Sequence, residues 1–154
     1  MENPEQAPLL TDIETYLAGR AQLVERAYDR SLRTDPSGYR LWWGPGDTPL
    51  SGAQIARHAT DAARYLTHHG WNPSTSESRG IRDALLHTRR STDTLCAIER
   101  ILNLLVATGT RSPANYRTWE AADERFADQV QLLLLDAAVL ARRYGPVGAV
   151  YPRG

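Results

Sequence analysis

SPANYRTWEAADERFADQVQLLLLDAAVLARRYG, residues 112–145, decides the fold class. Trp119, Phe126, Val130, Leu133, Ala137, Leu140 and Tyr144 recur three, four or seven residues apart. A helical winding gathers them on one side. Ser112-Pro113 supplies a cap and a first-turn proline, and Gly145-Pro146 supplies a stop. The spacing predicts a long last helix, with Asp123 as the place where it breaks.

Outward from that stretch, four more segments carry the same chemistry. Ser91 or Asp93 caps a helix that Gly109 ends, and Leu95, Ile98, Leu102 and Leu105 form its apolar stripe, widened by Ile101 and Leu104. A short helix over residues 80–88 holds Ile81, Leu85 and Leu86, and the Asn/Pro/Ser/Gly-rich residues 72–80 before it form a loop. Ser51-x-x-Gln54 is a capping box, followed by the narrow stripe Ile55, Ala59, Ala62, Ala63 and Leu66. Gly70 is its stop, with Trp71 folding back onto Leu66. Arg57, Asp61 and Arg64 are spaced for ion pairs on the wet face. Thr11-x-x-Glu14 opens the first helix, whose stripe is Ile13, Leu17, Ala21, Val24 and Tyr28 and which fades near Arg33 before Asp35-Pro36-Ser37-Gly38. Tyr39-Arg40-Leu41-Trp42-Trp43 reads as an extended segment lying over the core, with no evident second strand. The whole is an all-α, compact bundle of about five helices with one short extended aromatic segment. Residues 1–10 form a flexible leader, 11–145 a single helical domain and 146–154 a tail.

A chain of 154 residues with 42% apolar and 23% charged content has ordinary globular composition. All 18 basic residues are arginine, which codon bias in a high-GC genome explains. Formal net charge is zero, so no polyanion-binding field surrounds the molecule as a whole. Residues 49–118, with nine arginines and five acids, are the basic stretch. The lone Cys96 rules out an internal disulfide framework, and no apolar run approaches the ~20 residues that span a bilayer. These features describe a soluble cytoplasmic protein with no membrane partner.

Four histidines, His58, His68, His69 and His87, lack metal-ligand spacing. His58 pairs with Asp61 on the surface. Glu120, Asp123, Glu124 and Asp128 form a solvated acidic face, since no second carboxylate pair faces them across the bundle for Mg²⁺. Cys96 reads as a small buried thiol. No catalytic residue, metal ligand or cofactor follows. Two contact sites do. Trp42 and Trp43 point to opposite sides of an extended segment, so one is free to stack on a partner. Arg79, Arg82, Arg89 and Arg90 cluster around the short helix, near Arg57 and Arg64, and suit an anionic partner.

His69-Gly70-Trp71, Arg-Gly-Ile-Arg-Asp-Ala at 79–84, Tyr116-Arg117-Thr118-Trp119 and the later Val130, Leu133-Leu134 and Ala137-Ala138 carry a likeness. Across residues 52–144 the chain resembles an uncharacterised small helical family of actinobacteria and their phages. The resemblance implies a phage or mobile-element origin and gives no residue a role. The expected function is non-enzymatic: an intracellular interaction or regulatory protein whose partner is another protein or a second copy, as a homodimer. Alternatives are a nucleic-acid-associated factor using the basic middle, and a small metal- or nucleotide-dependent hydrolase using the carboxylates of the last helix.

Overall fold

The capping box at Ser51 forms as expected: Gln54 N donates to Ser51 Oγ at 3.1 Å and Ser51 N donates to Gln54 Oε1 at 2.9 Å. It opens α2 (Gly52–His69), whose stripe Ile55, Ala59, Ala62, Ala63 and Leu66 is buried. These small residues let α6 (Ala127–Tyr144) lie close against it. Gln131 Nε2 donates to Ala63 O at 2.8 Å near the middle of the contact. Gly52 N donates to Pro146 O at 2.8 Å at its end. A Cβ on Gly52 would fall against Ala141 O and Gly145 Cα, and one on Gly145 against Ala141 O and Gly52 Cα. Two glycines are therefore required where the chain enters α2 and leaves α6.

This computed structural model describes residues 6–73, 79–89, 92–111, 115–122 and 124–148. Around the central pair stand α1 (Gln6–Thr34), α3 (Ile81–Thr88), α4 (Thr92–Thr110) and the short α5 (Tyr116–Glu120). The fold is all-α, with a two-stranded antiparallel hairpin of β1 (Trp43–Gly44) and β2 (Thr48–Pro49). The buried side chains form a hydrophobic cluster that draws on every α-helix. Fully buried Ile55, Leu66, Ile98, Leu102, Leu134 and Leu140 each stabilise it by roughly 2 kcal/mol. No helix among the described residues is long and apolar enough to cross a membrane.

Several expected boundaries move. Helix α1 starts at Gln6, not Thr11, so part of the expected leader is helical. Pro8 fits its first turn because that turn's amides have no intrahelical acceptor. Ala21 is exposed, and Val24 and Ala27 take the buried positions. Gly109 lies inside α4, and Arg111, at φ 55°, follows the helix end. The last helix is two, divided around the break expected near Asp123: α5 stops at Glu120 and α6 starts at Ala127. Phe126, expected in the core stripe, sits before α6 and is 68% exposed, because the break turns it away from the bundle. The Ser112-Pro113 cap and Asp123 lie outside the described residues. Gly145 does stop α6, its N–H donating to Ala141 O at 2.8 Å.

The aromatic segment also differs from a plain extended cover. Arg40–Trp42 form a 3-10 turn, and the second strand exists: Trp43 pairs with Pro49 and Gly44 with Thr48, across a turn in which Gly46 takes φ 67°. Two residues of β2, one a proline, are too few to register as a strand from sequence. Arg100 of α4 holds this hairpin, its guanidinium donating to the carbonyls of Arg40 and Trp43.

Candidate binding cleft

The cleft grows from the loop between α2 and α3. Gly70 ends α2 at φ 84°, its N–H donating to Leu66 O at 2.8 Å. Asn72 and Arg79 then exchange backbone hydrogen bonds of 3.1 and 2.7 Å and close the loop. This leaves Trp71, half-buried, over the amino end of α3, with its indole N–H donating to Glu120 Oε2 at 2.8 Å. The same oxygen accepts from Ile81 N at 2.8 Å. Gly80 stands so close that a Cβ there would lie 3.1 Å from the carboxylate. Asp83 Oδ2 accepts from Gly80 N at 3.1 Å. Two carboxylates thus satisfy amides that the first turn of α3 leaves free.

Helix α5 supplies the opposite wall. Asn115 Oδ1 caps it by accepting from Thr118 N at 2.9 Å. Tyr116 is buried, with its hydroxyl donating to Glu99 Oε2 at 2.6 Å and its N–H donating to Asn103 Oδ1 at 2.9 Å. Arg82 reaches the same Glu99 oxygen at 3.3 Å from α3. Between the walls lies an open cleft of about 600 Å³, lined by Gly80, Arg82 and Asp83 on one side and Asn115, Arg117, Thr118 and Glu120 on the other. Burial raises the Glu120 carboxyl above its ordinary value, against the pull of the Trp71 and Ile81 donors. Burial, then the bond to Glu99, raises the Tyr116 hydroxyl well above its own.

Only Arg82 of the expected contact residues lines this cleft. Arg79 and Arg89 are exposed at the loop bridge and at the end of α3, and Arg90 lies outside the described residues. Trp42 is 4% exposed, its ring 6.5 Å from Tyr28. It is a core residue, because the 3-10 turn points it inward. Trp43 is half-buried against the core. Its carbonyl is held by Arg100, while Arg82 is held by the neighbouring Glu99. Consecutive helical positions diverge by 100°, so the tryptophan and arginine sites occupy different flanks of α4.

The acidic face divides in the same way: Glu124 and Asp128 are exposed, but Glu120 is 7% exposed and turned onto α3. Arg117 was not singled out from sequence. Its only signal is its place three residues before Glu120, beside the break. His58 is not a surface partner of Asp61. It is buried, Nδ1 lying 2.7 Å from Thr94 Oγ1 and Nε2 2.8 Å from Leu85 O. A carbonyl only accepts, so Nε2 carries the proton and Nδ1 accepts from the threonine. Desolvation lowers its pKa. Tyr65 stacks on His87 with ring centroids 5.1 Å apart and meets the tilted ring of His69 at 4.3 Å. No group of three or more His, Cys, Asp or Glu converges among the described residues. Comparison with family models, with curated proteins and with solved structures finds no match, so no residue role comes to this chain from a relative.

Proposed function

We propose that the protein acts by binding rather than by catalysis, as an intracellular interaction or regulatory protein, and that an acidic segment of a protein partner docks in the cleft between α3 and α5. The charge balance of the cleft carries this. Asp83 and Glu120 direct their oxygens onto Gly80 N, Ile81 N and the Trp71 indole, while Arg82 and Arg117 stand exposed on opposite walls. Guanidinium groups so placed take a carboxylate in bidentate fashion. The bond from exposed Arg82 to half-buried Glu99 is long, at 3.3 Å, and is weak competition. The buried groups that a hydrolase would recruit are committed internally: His58 to Thr94 and Leu85, Tyr116 to Glu99, Asp136 to Arg20. The free Cys96 fits a reducing compartment.

The experiment is fluorescence anisotropy with a labelled glutamate-rich peptide. R82A/R117A is expected to weaken binding about tenfold, as loss of charge-assisted hydrogen bonds does. Peptide affinity that ignores both substitutions overturns the proposal. The exposed arginines Arg79, Arg82 and Arg89 favour nucleic acid as the second function. An oligonucleotide bound in preference to the peptide, with affinity falling steeply with salt, would select it.

A further inference from the structure

Helix α6 keeps one stripe of side chains out of the bundle. Leu135 is 40% exposed and Val139 47% exposed, and Leu132, three residues before Leu135, is half-buried. The stripe ends in charge. Asp128 lies seven residues before Leu135 and Arg142 seven residues after; both are exposed, and neither joins an ion pair among the described residues. Arg143 beside it is turned over the Tyr144 ring, 5.7 Å from its centroid. The spacing of Asp128, Leu132, Leu135, Val139 and Arg142 alternates four and three, the repeat of a helix–helix seam. Seven residues fall about 20° short of two turns, so these positions form one nearly straight line about 21 Å long.

We propose that this stripe is the contact face for a second copy of the chain, with two α6 helices packed antiparallel about a two-fold axis at Leu135. A two-fold makes every contact reciprocal. Leu135 meets its own counterpart, Leu132 meets Val139 of the second copy, and Asp128 meets Arg142 at both ends. Parallel pairing would set Asp128 on Asp128 and Arg142 on Arg142. A line that is acidic at one end, basic at the other and apolar between is complementary to its own reverse. That complementarity names the occupant as well as the orientation. The face lies on α6, apart from the residues that line the α3–α5 cleft, so it stands independently of the function proposed there.

Analytical ultracentrifugation of the full chain up to about 1 mM tests it. A single helix seam is at the small end of interfaces, below about 1,200 Å², so the expected Kd is on the order of 100 µM. L135E/V139E is expected to be monomeric with an unchanged circular-dichroism spectrum, both sites being surface positions. D128R and R142D are each expected to weaken the dimer about tenfold, and D128R/R142D together to restore it to within about twofold. Each swap opposes the α6 macrodipole and the pair opposes it more, so the recovery reports contact between copies rather than helix stability. A monomer at every concentration, a dimer indifferent to L135E/V139E, or a double swap no tighter than the single ones would overturn the proposal.

Discussion

The α2–α6 seam and the α3–α5 cleft sit on the same core but are held by different means. Along the seam, Ala56, Ala59 and Ala63 are buried, and the backbones converge until Gly52 and Gly145 touch. Shape does most of the work there, beside the bonds from Gln131 to Ala63 O and from Gly52 N to Pro146 O. At the cleft, Glu120 ties α5 to Ile81 of α3 and to Trp71, Tyr116 ties α5 to Glu99 of α4, and Asp83 caps α3, each through a specific polar bond. Such a region fails when a partner is withdrawn and a buried donor is stranded. One half of the molecule is intolerant of volume, the other of lost hydrogen bonds.

The largest effect expected from that contrast is at Gly52. Gly52→Ala places a methyl against Ala141 O and Gly145 Cα and should destabilise by about 3 kcal/mol through overpacking, read by urea unfolding. Gly148→Ala, where a Cβ meets nothing, should stay within about 0.5 kcal/mol. Equal losses at the two sites would remove the steric account of the seam.

At the cleft, Glu120→Ala leaves the Trp71 indole and the Ile81 amide without an acceptor and should cost about 2 kcal/mol. Glu120→Gln keeps an accepting oxygen and should recover about half of that. If the two variants unfold at the same denaturant concentration, the carboxylate is not the brace described.

The third effect is a pH profile. Asp136, buried in α6 and 2.6 Å from Arg20 of α1, is pushed by burial from 3.8 up to about 6, with Arg20 pulling the other way. Between those values the folded chain holds a proton that the unfolded chain has lost, so this group's contribution falls as pH rises from about 4 to 6, by about 2 kcal/mol. His58 acts with the opposite sign. Its lowered pKa makes the folded chain resist protonation, and stability is lost as pH falls below the ordinary 6.5. The difference in stability between the wild type and Asp136→Asn, followed by denaturant midpoint across pH 4–7, isolates the aspartate. A flat difference would show that Arg20 cancels the burial. The smallest effect is at Phe126: at 68% exposure, Phe126→Ala, which adds no cap to α6, should change stability by less than about 0.5 kcal/mol, whereas a core position would lose about 3 kcal/mol or more.

The two faces that make the seam were legible in the sequence; their pairing and the cleft were not. Ser51-Gln54, the alanine stripe of α2 and the Val130–Leu140 periodicity state their packing directly, because cap chemistry and a 3.6-residue repeat are local signals. Glu120 reads as solvated because its spacing to Glu124 and Asp128 puts all three on one helical face, which holds only if α5 and α6 run in line. The break turns α5 so that the same side chain faces α3, and nothing local to Glu120 announces a partner at Trp71 or Ile81. His58 is similar: its partners, Leu85 and Thr94, come from two other helices. Trp42 failed for another reason. Alternation does not say which of Trp42 and Trp43 faces in, and the one-turn 3-10 segment buries Trp42 and leaves Trp43 half-buried.

Arg100 has an optical consequence. Strands of two residues do not hold together in water by their own pairing, and this hairpin draws on one guanidinium on the middle of α4, which takes the carbonyls of Arg40 and Trp43, beside the packing of Gly44 on Asp93 of the same helix. The indole of Trp43 is therefore a lamp wired to that helix. Any event that loosens the central turns of α4 releases the hairpin and wets this fluorophore, shifting its emission to the red before the deeper Trp42 responds.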